Sequence, residues 1–320
     1  MSIVQWLFTS TNTAQKEPSK TTDIESLKRY YLSKYNWILS YPLKKYPYMD
    51  DNILNKFITV NLDEEGQEII NGKKYIDLRP DCPNILDDRD LNLSPISTIC
   101  FILHYQLIRN KLDIFPPSRL FLYHNTVFFK DSKQLFTFDS IFKTIETCGF
   151  CSELIYTYNR DNMKVNKLSH IHYEDAEQYK FIHIYRIPNS IDMIKKMLQN
   201  NMIIAIGFVL YNNIHINSKI TIADTNTNTI IGGTMGAIVG YIEKQQSFII
   251  ALSYGKDMGK DGYILLPFKY VSDKDLVPEL YYIDFDVTQI QNFISNKKKM
   301  LDTMKKGPHK NHQPYGGLFS

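Results

Sequence analysis

The chain has few cysteines, little net charge and no long apolar run, and each shortage excludes a class of protein. Four cysteines in 320 residues are too few for a disulfide framework, which favours a reducing compartment. A formal net charge of +3 argues against general nucleic-acid binding. No run of about 18 apolar residues is present to span a membrane. Residues 3–8 are too short, and lack the basic flank, for a secretory signal.

The remaining composition is that of a protein with a sizeable core. The chain is 43% hydrophobic and 22% charged, so it can form one large domain or two lobes. Lysine far outnumbers arginine, and isoleucine, asparagine and tyrosine are abundant. This bias is typical of an AT-rich genome, as in large DNA viruses and some protists.

Three segments differ in character along the chain. Residues 1–29 are polar and predict an N-terminal arm. Residues 30–286 are mixed and form the main domain, while residues 287–320 predict a basic helix followed by a flexible tail. The simplest interpretation of the lysines in that helix is a solvated face; docking on a partner or an acidic surface is the alternative.

Hydrophobic periodicity predicts helices first and strands afterwards. Ser94 is predicted as the N-cap of a helix with Pro95 at its first position, and an apolar stripe follows them. Further helices are predicted over residues 140–148, ended by Gly149, and after the cap Ser190. Strands are predicted over residues 202–211, 237–242, 247–253, 262–267 and 279–285. This order predicts an α+β protein whose helices and strands segregate.

Several ordered blocks carry a family resemblance. They read DLRPDCP (77–83), NLSPI (92–96), FPPSRLFLY (115–123), TCGFCSE (147–153), GGT…VGY (232–241) and FIIALSYG…GY (248–263). Together they resemble the papain-like (C1) cysteine peptidases over about residues 35–285. The resemblance implies a papain-like two-lobe fold, with a helical left lobe, an antiparallel β-sheet right lobe and a cleft between them.

The same resemblance implies that the catalytic residues have been replaced. Carried over by position, the nucleophilic cysteine falls on Ile96, the histidine on Thr234 and the asparagine on Leu252. The oxyanion-hole glutamine falls on Asp88 or Asp90. The tryptophan that follows the asparagine has become Tyr254. The resemblance is therefore to an inactive member of the family, with no intact catalytic residue.

Papain-type catalysis explains why these replacements matter. It needs a thiolate at a helix N-terminus, paired with a histidine that an amide side chain orients. Ile96 offers no nucleophile, Thr234 no base near neutral pH and Leu252 no orienting oxygen. Removing a nucleophile or base alone costs about 10⁶-fold in turnover in a triad enzyme.

No other residue is a strong candidate to replace them. Cys100 lies one helical turn beyond Ile96, where an apolar setting predicts a core cysteine rather than a displaced nucleophile. Cys148 and Cys151 have C-x-x-C spacing but no second pair, so a structural role is favoured. His170 and His172 are predicted in a polar loop without further metal ligands. The acidic stretch 87–90 is predicted as a solvated loop, and no metal or cofactor is expected.

The resulting hypothesis is a pseudopeptidase retained for its shape and surface. The chain also resembles C1-peptidase-like proteins of giant viruses. That resemblance implies a virion-associated structural or binding protein, located in the virion or in the host cytoplasm at a viral factory. Protein partners are expected, either virion components or a cleft-bound peptide, without nucleic acid. Two alternatives stay open: a peptide-binding decoy that uses the old cleft, and a cysteine peptidase with Cys100 as displaced nucleophile.

Overall fold

A computed structural model describes residues 46–57, 75–88, 93–112, 115–128, 136–164, 168–211 and 230–306. The predicted N-terminal arm and C-terminal tail lie outside these residues. The helices are α1 (Asp51–Leu54), α2 (Ser94–Arg109), α3 (Arg119–Phe128), α4 (Phe138–Cys148), α5 (Arg160–Met163), α6 (His170–Ala176), α7 (Ile191–Gln199), α8 (Phe268–Ser272) and α9 (Val287–Lys306). The strands are β1 (Tyr75–Asp77), β2 (Ile182–Arg186), β3 (Ile204–Tyr211), β4 (Ile230–Ile242), β5 (Ser247–Ala251), β6 (Tyr263–Pro267) and β7 (Glu279–Phe285).

Helix α2 is the central helix of the fold. Every residue from Ser94 to Leu103 is buried, as expected for a helix that is covered on all sides. It contacts β4, β3 and β7 of the sheet and α3 on the helical side. The helix starts at Ser94 itself, with Leu93 at the preceding position. The prediction that Ser94 is the N-cap is therefore wrong by one residue, and its hydroxyl is available for contacts in the protein interior.

Two other predicted helices are confirmed together with their caps. Helix α4 begins two residues earlier than predicted, because Thr137 and Ser140 form a reciprocal capping box. It ends at Gly149, whose φ of 72° and close approach to the Ala176 carbonyl would make any Cβ clash. In α7, the Ser190 hydroxyl accepts a hydrogen bond from the Met193 amide, as its capping role requires.

The strands form one antiparallel sheet in the order β2-β7-β3-β4-β5-β6, and β1 pairs with β4 off this path. The five predicted strands are confirmed, although β4 starts earlier than predicted. Strands β1 and β2 were not predicted, because three and five residues are too short to show a reliable period of two. Helices on one side and an antiparallel sheet on the other give the α+β class.

Helix α9 packs against the main domain through its first turns, and Lys297 adds one hydrogen bond further along. Asp286 caps it by accepting a hydrogen bond from the Gln289 amide at 3.0 Å. Ile290 is fully buried and the Phe293 ring lies 5.8 Å from the Phe181 ring. From Ile294 to Met300 every residue is exposed, and Lys297 Nζ donates to the Glu174 carbonyl. The basic helix thus runs beyond the domain that anchors it.

Replacing Asp77 with asparagine is expected to lower the free energy of unfolding at pH 7 by about 1 kcal/mol. The Asp77 carboxylate accepts two hydrogen bonds from the Arg79 guanidinium, at 2.8 and 2.7 Å. Hydrogen bonding by Arg79 lowers the pKa of Asp77 to about 2. The lowered folded pKa means that this contribution exists above the ordinary pKa near 3.8 and is lost as pH falls through about 2. Urea titration at pH 7 and pH 3 measures both effects.

The matched control is Asp81→Asn, an exposed aspartate in the turn that follows β1. It is expected to change stability by less than about 0.5 kcal/mol. Equal losses for the two variants would contradict a specific role for the Asp77–Arg79 pair.

Candidate functional site

Ile96 lies in the first turn of α2 and has no exposed surface. It belongs to the continuous apolar core that also contains Leu93, Ile99 and Leu252. Leu252 immediately follows β5 and is 4% exposed. Both side chains are therefore core residues, and neither brings a polar atom to the N-terminal end of α2.

Thr234 lies inside β4, opposite Phe208 of β3. It is 1% exposed, and its Oγ1 lies 2.7 Å from the Tyr254 hydroxyl. Tyr254 is itself buried, and desolvation raises the pKa of its phenol. Near neutral pH both groups are neutral hydroxyls, so they form a structural hydrogen bond and supply no base.

Asp88 is buried and lies beside Ser253 and Ser94. The Ser253 hydroxyl donates to Asp88 Oδ2 at 3.1 Å and also lies 3.1 Å from Ser94 Oγ. Burial raises the pKa of the Asp88 carboxyl to about 7, because the charged form is disfavoured away from water. The prediction of a solvated loop is therefore wrong for Asp88. Asp90, the alternative oxyanion position, lies outside the described residues.

Residues 83–88, called the strap below, bring Asp88 to this place. The Asp88 amide donates to the Ser253 carbonyl at 3.2 Å, and the Gly255 amide donates to the Leu86 carbonyl at 3.1 Å. Arg119 Nη1 donates to the Asp87 carbonyl at 3.2 Å. At Gly262, a Cβ would meet the Ile85 side chain at 2.6 Å, so glycine permits the close approach of the strap.

Five polar residues thus meet near the N-terminal end of α2, and we call them the groove cluster: Asp88, Ser94, Thr234, Ser253 and Tyr254. They come from the strap, α2, β4 and the segment after β5. Sequence reasoning singled out positions 88, 234 and 254 but missed the serines. Their positions in the sequence could have indicated that these serines belong to the site, because Ser253 directly follows Leu252 and Ser94 precedes Ile96 by two residues.

The four cysteines are free thiols, and burial raises the pKa of each. Cys100 is 1% exposed and burial raises its pKa well above the ordinary value, which confirms the predicted core cysteine. Burial raises the pKa of Cys82 and of Cys151 to about 12 and raises that of Cys148 as well. A buried neutral thiol is a poor nucleophile, so the arrangement does not activate any of them.

The histidine prediction is wrong in one respect. His170 and His172 lie on helix α6 rather than in a polar loop. The Ser169 amide donates to His172 Nδ1 at 3.2 Å as part of the helix cap, which explains how a polar stretch forms a helix here. Within the described ranges, no three histidine, cysteine, aspartate or glutamate side chains are grouped closely enough to hold a metal ion. His215, His309 and His312 lie outside those ranges.

Comparison with known proteins agrees with this architecture. The chain is 28% identical over 256 residues to an uncharacterised peptidase C1-like protein of Acanthamoeba polyphaga mimivirus, covering 72% of this chain and 80% of the relative. Xylellain, a cysteine protease from Xylella fastidiosa, matches with a TM-score of 0.62 and 23% identity, covering 75% of this chain and 96% of xylellain. No protein-family profile matches the sequence.

More distant structures share the same fold. Procathepsin L2 from the larval midgut of Tenebrio molitor matches with a TM-score of 0.61 and 13% identity, covering 78% of each chain. Procathepsin B S9 of Trypanosoma congolense matches with a TM-score of 0.57 and 12% identity, covering 80% of this chain and 87% of that one. The fold is that of papain-like cysteine proteases, and the sequence is similar to a viral peptidase C1-like protein. None of its described helices is both long and apolar enough to cross a membrane.

Proposed function

We propose that this C1-like protein is a pseudopeptidase, a binding or structural protein that has kept the papain-like fold without its chemistry. The observation that carries the proposal is the complete burial of Ile96 in the first turn of α2. The resemblance to papain-like peptidases assigns the nucleophilic cysteine to this position, and a nucleophile must reach a substrate carbonyl. A buried aliphatic side chain can neither attack that carbonyl nor admit it.

The groove cluster supports the same proposal. Thr234 and Tyr254 are hydrogen-bonded to each other, and Ser253 is bonded to Asp88 and Ser94. These contacts join α2 to the sheet where a peptidase needs an open cleft. An aspartate at the oxyanion position would also oppose developing negative charge once it ionises. Burial of Ile96, Thr234 and Leu252 counts against the alternative of a peptide-binding decoy that uses the old cleft.

The viral relative supports a proposal for location and partners. We place the protein in the virion or at a viral factory in the host cytoplasm, because its curated relative is encoded by a giant virus and the composition fits an AT-rich genome. We propose protein partners among the virion components. We also propose three parts of the chain: an arm (residues 1–29), a main domain (residues 30–286) and a basic helix with a tail (residues 287–320). Mass spectrometry of purified particles tests the location, since absence of the chain's peptides would contradict packaging.

The wild-type protein is expected to hydrolyse no peptidyl-aminomethylcoumarin substrate and to resist labelling by an epoxysuccinyl inhibitor. Ile96→Cys alone is expected to remain inactive, because its thiol would lack a base and an oxyanion donor. An intact triad raises turnover by about 10⁶-fold, and most of that gain is lost when one member is missing. Papain serves as the positive control, and intact-mass spectrometry locates any label. A label on Cys100 in the folded wild type would support the displaced-nucleophile alternative and overturn the proposal.

The triple variant Ile96→Cys, Thr234→His, Leu252→Asn examines the alignment itself. If these positions correspond to the family's catalytic residues, the introduced thiol and imidazole lie within reach of each other. The apparent pKa of the introduced thiol is then expected to fall below its value in the single variant Ile96→Cys. The rate of iodoacetamide alkylation against pH measures this pKa. Identical profiles for the single and triple variants would contradict the assigned positions.

A further inference from the structure

The strap covers two small cavities that lie against α2. One is lined by Leu86, Thr98, Phe101, Leu252 and Ser253, among others. The second shares Leu86 and Phe101 with the first and extends to Cys100 and Glu153. The interior under the strap therefore contains small voids.

Thr98 Oγ1, beside the first cavity, has no hydrogen-bond partner among the described residues. Asp88 Oδ1 and Ser97 Oγ make no well-formed hydrogen bond there either, so the interaction of the Ser97 hydroxyl with the Asp88 carboxyl is a weak one. Asp88 and Ser97 are at least 99% buried. A buried carboxylate with so few good hydrogen bonds is costly when it is charged and much less costly when the carboxyl is protonated. The surroundings of Asp88 therefore favour its neutral form.

The charged and titratable groups that face Asp88 do not change this preference. From α3, Arg119 lies close enough to act on Asp88, but its guanidinium forms an ion pair with Glu153 and donates to the Asp87 carbonyl. Asp87, the neighbour in the strap, adds a negative charge that disfavours ionisation of Asp88. Tyr254, from the segment after β5, is neutral near physiological pH. Ser94 and Ser97 of α2 contribute uncharged hydroxyls.

We propose that the strap is a pH-sensitive latch, closed onto the segment 253–255 while the Asp88 carboxyl is protonated and released when that proton passes to water. The carboxyl and its two flanking backbone hydrogen bonds form the latch. Release uncovers the cavities and the adjacent face of α2. The latch is independent of whether the protein is a peptidase, because it concerns the fold of residues 83–88 alone.

The direction of the pH effect follows from linkage. Burial raises the pKa of Asp88 to about 7, from an ordinary value of 3.8. A raised folded pKa means that the closed strap is favoured below pH 3.8 and loses stability as pH rises through about 7. The strap is therefore expected to be closed in acidic solution and to open increasingly near neutral pH.

Hydrogen–deuterium exchange of the full chain tests the latch. The amides of Asp88 and Gly255 close the two backbone contacts, so their protection factors, corrected for intrinsic exchange, report strap opening. Protection is expected to fall by about tenfold to a hundredfold between pH 5 and pH 8 in the wild type. In Asp88→Asn, which cannot ionise, the fall is expected to vanish.

The matched control is Asp87→Asn, an exposed neighbour in the same strap, which should retain the wild-type fall. Constant wild-type protection, or an undiminished fall in Asp88→Asn, would overturn the latch. Should Asp88→Asn fail to fold, ¹³C NMR of aspartate carboxyls in the wild type replaces it. A carboxyl titrating near pH 7 that moves together with strap exchange supports the proposal, and its absence refutes it.

Discussion

Replacing Ile96 with alanine is expected to lower the free energy of unfolding by about 2–5 kcal/mol. The side chain has no exposed surface and lies in the apolar core at the start of α2. Truncation therefore removes buried methyl groups and leaves a cavity that the surrounding residues fill only in part. Urea denaturation followed by circular dichroism measures the loss, provided that the denaturant slope is unchanged.

The comparison variant is Ile155→Ala, an isoleucine with 39% of its surface exposed. It is expected to cost less than about 1 kcal/mol. A similarly small loss at Ile96 would mean that the position faces an open groove, as a nucleophile must. That outcome would remove the main support for a sealed, inactive site.

The sequence predicted the fold where local signals and tertiary structure agree. Helix α7 has a serine cap and an apolar face, and both signals are local. Helix α6 has neither a strong apolar stripe nor acidic residues in its first turn, and only Ala176 is buried. Its cap uses a histidine side chain, which composition does not reveal. Local patterning therefore predicts α7 and misses α6.

The site was predictable to the extent that it follows family blocks. Positions 96, 234 and 252 were predicted from the family resemblance, and their burial fits their apolar or small side chains. Asp88 was misjudged because a charged residue among other charged residues usually lies in solvent. Its burial depends on Ser253, which is 165 residues away. Such a contact leaves no mark in the local sequence.

The burial of positions 96, 234 and 252 and the burial of the Asp88 carboxyl have one physical basis. A peptidase needs the N-terminus of this helix open to its substrate, with a nucleophile that can reach the scissile carbonyl. Here Ile96 and Leu252 extend the core into that region, and the remaining polar groups bond to each other. Burial raises the pKa of a carboxyl that is enclosed in this way. Asp88, the carboxyl of the groove cluster, therefore changes its protonation state near neutral pH.

Arg119→Met is expected to destabilise the protein by about 3–5 kcal/mol. The Arg119 side chain is 9% exposed and forms a bidentate ion pair with Glu153. Arg119 Nε donates to Glu153 Oε2 at 3.1 Å, and Arg119 Nη2 donates to Glu153 Oε1 at 2.7 Å. Its guanidinium carbon also lies 3.4 Å from the centre of the Tyr158 ring. Methionine preserves most of the side-chain volume but leaves the Glu153 carboxylate and the Asp87 carbonyl without this donor. Urea titration at pH 7 measures the change.

The double variant Arg119→Met, Glu153→Leu separates the pair from its packing. Removing both charges is expected to recover a large part of the loss, because most of it comes from one uncompensated buried charge. Arg186→Met is the matched control, since Arg186 stacks on the half-exposed Tyr48 ring, where such stacking contributes about 0.5–1 kcal/mol. If the double variant is as unstable as Arg119→Met, the loss of unfolding free energy comes from the contacts of Arg119 with Tyr158 and the strap. Arg119 would then hold the strap closed directly rather than by neutralising Glu153.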